Sequence, residues 1–84
     1  MQTIEEEAFL GSGMVEVVIP DGAVSVGNRA FADCHNLTYV FIPDSVVEIA
    51  ADAFENCDAA IIICNPGSNA ARFAESAGIE WMEN

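Results

Sequence analysis

Three cysteines, Cys34, Cys57 and Cys64, and a single histidine, His35, are the side chains best suited to nucleophilic or metal chemistry. A thiolate nucleophile needs a base to take its proton and a third group to orient that base. Cys34 and His35 are chain neighbours, and neighbouring side chains usually point apart. No Asn or Asp is identifiable as the orienting group. Structural zinc favours paired ligands such as Cys-x-x-Cys, and that spacing is absent. Glu5, Glu6, Glu7, Asp33, Glu55 and Asp58 carry the hard oxygens that calcium prefers, yet no EF-hand-like or nonapeptide loop frames them. A solvated acidic face accounts for them. No catalytic, cofactor-binding or metal residue is assigned, and no enzyme activity is expected.

The charge balance restricts the partners. The 84 residues include 14 acidic side chains, the two arginines Arg29 and Arg72, and no lysine, for a net charge of −12. Phosphate backbones and anionic membrane surfaces are read by basic patches, so nucleic acid and such surfaces are disfavoured. A basic partner or a divalent cation stays open, as does the plainer role of keeping an apolar array soluble. No apolar run is long enough to span a bilayer. The start, Met1-Gln2-Thr3-Ile4-Glu5-Glu6-Glu7, lacks the basic and apolar regions of a secretory signal. The hydrophobic class makes up 52% of the chain, which argues for a packed core in one small domain, residues 1–84, rather than a disordered tail.

The elements that position these side chains follow from a repeat. Ala8-Phe9, Ala30-Phe31 and Ala53-Phe54 recur at spacings of 22 and 23, and Pro20, Pro43 and Pro66 at a constant 23. The first unit is one residue short in the Leu10-Gly11-Ser12-Gly13 stretch. In this register Met14, Val17 and Ile19 lie over Leu37, Val40 and Ile42, and Val24 and Val26 over Val47 and Ile49. Each unit has a β-branched run (Val15 to Ile19, Tyr39 to Ile42, Ile61 to Cys64), then a Pro-containing turn and a compact Ala-Phe segment. One unit cannot bury its own apolar face, whereas stacked units can. The register predicts one strand per unit, paired in parallel, with Phe9, Phe31 and Phe54 forming an inner spine. It also places Cys34 over Cys57, as packed thiols or as a disulfide if their Cα atoms lie close enough. Ser45 and Ser68 are expected to satisfy backbone groups of the adjacent unit.

The pattern resembles the BspA-like leucine-rich repeat family, whose units read roughly Leu-x-x-Val-x-Ile-Pro-x-Ser-Val-x-x-Ile-x-x-x-Ala-Phe-x-x-Cys. Residues 37–57 match through Leu37, Val40, Ile42, Pro43, Ser45, Val46, Val47, Ile49, Ala53, Phe54 and Cys57. The first unit departs at Gly22 and Ser12, and the third at Ala60 and Asn65. The resemblance implies an α/β leucine-rich-repeat right-handed solenoid of about three coils. It would have a short parallel β-sheet, units near 4–26, 27–49 and 50–66, and a C-terminal capping helix within 67–84. It also implies a cell-surface or secreted bacterial parent and an adhesion role toward a host matrix or surface protein.

Ser68 or Asn69 can cap a helix running to Ala77, with Gly78 as the terminating glycine. Ala70, Phe73, Ala74 and Ala77 share one face, and Ile79 and Trp81 are expected to pack beside it as cap anchors. At the other end the strand Val15–Ile19 is expected to be an open edge, which suits a fragment of a longer array or a homodimer.

Partner binding is assigned to the concave sheet face, at Val15, Glu16, Val18, Thr38, Tyr39, Phe41, Ile61, Ile62 and Cys64. Val18, Phe41 and Cys64 are expected to form one row across the strands, and Glu16, Tyr39 and Ile62 another. So apolar an exposed face marks either an interaction site or a surface covered by a second copy. Spacer coils with no ligand of their own remain the alternative.

Overall fold

The computed structural model describes residues 2–83, so Met1 and Asn84, the limits of the expected domain, lie outside the described residues. Seven short strands and one helix follow in order: β1 (Gln2–Ile4), β2 (Glu16–Val18), β3 (Ala23–Val26), β4 (Tyr39–Phe41), β5 (Glu48–Ile49), β6 (Ile61–Cys64), α1 (Asn69–Ala77) and β7 (Glu80–Glu83). All pairings are parallel and fall into two sheets, β1-β3-β5 and β2-β4-β6-β7. This is an α/β repeat fold. The second sheet differs from the single one expected. It arises because Val24/Val26 and Val47/Ile49 carry their own β-branched alternation, and the backbone of each run lies beside its equivalent, Ser25 against Glu48 and Val26 against Ile49.

Between the sheets the Ala-Phe segments also pair along the repeat. Phe9 N–H donates to Ala30 O at 2.8 Å, Phe31 N–H to Ala53 O at 2.8 Å, and Asp33 N–H to Glu55 O at 2.8 Å. The rings of Phe9 and Phe31 stack at 5.2 Å, and those of Phe31 and Phe54 at 5.1 Å, with their planes nearly parallel. Phe73 of α1 closes the column with a tilted contact at 6.0 Å. Around the spine lie Leu37, Val40, Val46 and Ile62, all fully buried. Burying each such side chain contributes about 1.5–3 kcal/mol relative to exposure.

The turns that follow the Ala-Phe pairs use residues that tolerate a left-handed backbone, while Glu7 and Arg29 adopt it just before the first two pairs. Gly11, Asp33 and Asn56 occupy equivalent places with φ of 69°, 60° and 63°. Gly, Asp and Asn are the types that visit this region most readily. Asn56 Nδ2 donates to Asp33 Oδ1 at 2.8 Å, tying two of these turns together. Gly27 answers a different demand. Its N–H donates to Ile4 O at 2.7 Å, and a Cβ there would lie 2.8 Å from Glu6 N.

Helix α1 begins at Ser68, whose hydroxyl accepts from Ala71 N–H, and ends at Gly78 with φ of 74°. Both ends match the sequence reading. The buried face is Ala70, Ala71 and Ala74, with Phe73 packed partly against the core, while Ala77 is exposed instead. The helix returns the chain so that β7 adds to β6, with Trp81 opposite Ile62 and packed against the core.

Candidate protein-interaction face

The sheet β2-β4-β6-β7 presents one face to the interior and one outward. Val40 and Ile62 point in and are fully buried, and Val17 packs partly against the same core. Alternation then turns Glu16, Val18, Tyr39 and Phe41 outward. Val18 is 67% exposed, Val15 58% and Tyr39 41%, while Phe41 and Thr38 are half-buried. These expected face residues are brought together on adjoining strands.

The third strand corrects the expected rows. Tyr39 pairs with Ile61, Val40 with Ile62 and Phe41 with Ile63, an offset of 22 rather than 23. Ala60 takes the buried place of Leu37, and one residue fewer separates it from the strand. Ile62 and Cys64 therefore face the core, at 0% and 1% exposure, and do not belong to the outer face. The rows are Glu16–Tyr39–Ile61–Glu80 and Val18–Phe41–Ile63–Met82. Asn65, not Pro66, follows this strand as Pro43 follows β4. An extra residue before Ser68 restores the 23-residue spacing to Ser45, so the constant proline period conceals two compensating irregularities. Ile63 and Met82, the latter 50% exposed, were not anticipated. Four consecutive apolar residues at Ile61–Cys64 fit either facing, and only the shortened Ala59-Ala60 approach signals which one holds.

At the C-terminal ends of these strands lies an open groove of about 410 Å³. Val18, Phe41 and Ile63 line it, with Asp21, Asp44, Ser45 and Asn65 at its rim. Ser45 Oγ donates to Ala23 O at 2.7 Å and accepts from Gly22 N–H at 3.2 Å, pinning one turn to the next as expected. Ser68 instead caps the helix. Asn65 Nδ2 donates to Asp44 Oδ2 at 2.9 Å.

The chemically reactive types are placed elsewhere. All three cysteines are free thiols. Cys34 Sγ donates to Phe9 O at 3.2 Å and Cys57 Sγ to Phe31 O at 2.8 Å, each thiol fastening its own repeat to the preceding one. Burial pushes the Cys57 and Cys64 thiols above their ordinary value. His35 is exposed, with Nδ1 3.9 Å from Asp58, while Cys34 is fully buried. Arg29 reaches Glu7, Asp33 and Glu55 at 3.7–4.0 Å, and its backbone N–H donates to Asp52 Oδ1. It thereby supplies the positive charge among the carboxylates at that corner. Among the described residues no three His, Cys, Asp or Glu side chains are arranged to hold a metal ion, and no helix is long and apolar enough to cross a membrane.

Residues 2–77 match the BspA type Leucine rich repeat region (6 copies), and the chain belongs to this family. Leucine-rich repeats of this kind are protein-interaction modules and generally not enzymes, and the family is typically surface-associated in bacteria. Neither the curated proteins nor the solved structures yield a match.

Proposed function

We propose that the chain is a right-handed leucine-rich-repeat solenoid of about three coils, with units near 4–26, 27–49 and 50–66 and a cap at 67–84. Its outer sheet face binds a protein partner. The observation that carries the reading is the outward-facing apolar row Val18–Phe41–Ile63–Met82, exposed at Val18 and Met82, half-buried between them and flanked by the exposed Val15 and Tyr39. Contiguous apolar surface on a small protein is most often an interaction site, and aromatic residues dominate the energetics of such sites. The partner is a host matrix or surface protein and the parent is displayed at a bacterial cell surface, as the family suggests. No cofactor is assigned to this function.

The test is binding to a panel of extracellular matrix proteins by surface plasmon resonance. A Val18→Ser, Tyr39→Ser, Met82→Ser variant should retain the wild-type circular dichroism and melting behaviour yet lose binding. Undiminished binding would favour spacer coils without a ligand on this face.

Self-association through β2 is the second reading. This strand lies at the sheet edge with Val15 and Val18 exposed, and open strand edges invite pairing. Glu5, Glu6, Glu7 and Glu16 on the same repeat oppose it by like-charge repulsion. Sedimentation at low and high salt distinguishes the two, because screening this repulsion would allow the dimer to form.

A further inference from the structure

Resting on that reading of the sheet face, we infer that the groove at the strand ends accepts a polypeptide segment presenting an arginine or lysine beside a bulky apolar side chain. The groove joins two chemistries. Its floor is the apolar row Val18, Phe41 and Ile63, and its rim carries Asp21 and Asp44 with no cationic side chain among its lining residues. Asp21 and Asp44 are equivalent residues of adjacent repeats, so the stacking that builds the fold brings both carboxylates to one groove, where a cationic guest can meet them. The stem of a lysine or arginine can lie on apolar surface while its head reaches a carboxylate, and a guanidinium over Phe41 adds a cation–π contact.

The rim is already organised for this. Ser45 ties the Asp21 turn to the Asp44 turn, and Asn65 holds one oxygen of Asp44, leaving the other to accept from a guest. Charge complementarity also selects the occupant over a second copy of this chain, which has a net charge of −12 and only two arginines. Arg29 is already engaged with acidic neighbours, and Arg72 lies on α1 near Asn69.

The experiment is fluorescence anisotropy with a labelled synthetic peptide of alternating arginine and leucine, using the full 84-residue chain. Two pairs of substitutions remove equal charge: Asp21→Asn with Asp44→Asn in the groove, and Asp58→Asn with Glu75→Gln far from it. The groove pair should weaken binding about tenfold, as expected for loss of charge-assisted contacts, and the distant pair by much less. Replacing leucine by serine in the peptide should weaken binding comparably. Equal weakening by both pairs would mean that only the overall field attracts the peptide, and would overturn the inference. So would an absence of peptide binding by the wild type. With the groove inference overturned in this way, loss of matrix-protein binding by the Val18→Ser, Tyr39→Ser, Met82→Ser variant would still leave the face standing as an interaction site. Melting temperatures no lower than that of the wild type in every variant tie the readout to the groove rather than to folding.

Discussion

Phe31 is the middle ring of the stack and fully buried, whereas Phe9 at its end is 39% exposed. Truncating a buried phenylalanine costs about 3–5 kcal/mol through lost transfer energy and the cavity left behind, comparable with the whole stability of a small domain. Phe31→Ala should therefore leave the chain largely unfolded in urea titrations, while Phe9→Ala should cost distinctly less. The thiols give a second test. With the folded Cys57 and Cys64 raised above the ordinary 9.0, the unfolded chain releases these protons first as the pH climbs. Stability from this source is complete below 9.0 and is lost as the pH rises through the folded values. Melting temperature should fall over that range, and a Cys57→Ser, Cys64→Ser variant should show a shallower fall.

At the scale of elements, α1 and β1 depend on single groups. Ser68 offers its hydroxyl to Ala71 N–H, and Ser68→Ala should destabilise the chain by about 0.5–2 kcal/mol, with Ser68→Gly costing much less. Gly27 lets the Ile4–Glu6 backbone approach closely. Gly27→Ala should cost about 1–3 kcal/mol, the usual range for overpacking, with amide hydrogen exchange rising first in β1. The helix was legible in the sequence because its capping residues and apolar spacing are local signals. The phenylalanine spine was legible because a repeated residue must stack on itself. The facing of β6 was not. Four apolar residues in a row satisfy either side of a sheet, and a one-residue slip exchanges the faces completely. That is why Ile62 and Cys64 entered the expected site and Ile63 did not. Met82 was missed for another reason: it reaches the face only because β7 pairs with β6, a long-range event with no local signature. Asp21 and Asp44 sit in turns, where polar residues are expected for turn chemistry alone.

Across the whole molecule, charge and packing pull in opposite directions. A net charge of −12 on so small a chain generates self-repulsion that the apolar interior must overcome. Arg29 relieves it at one corner only, through pairs that are substantially exposed and hence individually weak. Raising sodium chloride from low to physiological strength should therefore raise the melting temperature, as scanning calorimetry would show, with the gain saturating once the screening length falls near 8 Å, roughly its value at physiological strength.

The hydrogen bonds of the repeat join residues of adjoining units 21 to 24 positions apart, from Glu7 with Asn28 through Asp33 with Glu55 to Ala50 with Val26. A gene segment encoding one such period can thus be copied in frame without disturbing the interior. The duplicate meets on either side the same carbonyls, the same ring faces and the same thiol partner that its parent met. Lengthening by recombination is then neutral for folding while it widens the outer face by one strand. Selection is free to act on what that extra strand displays.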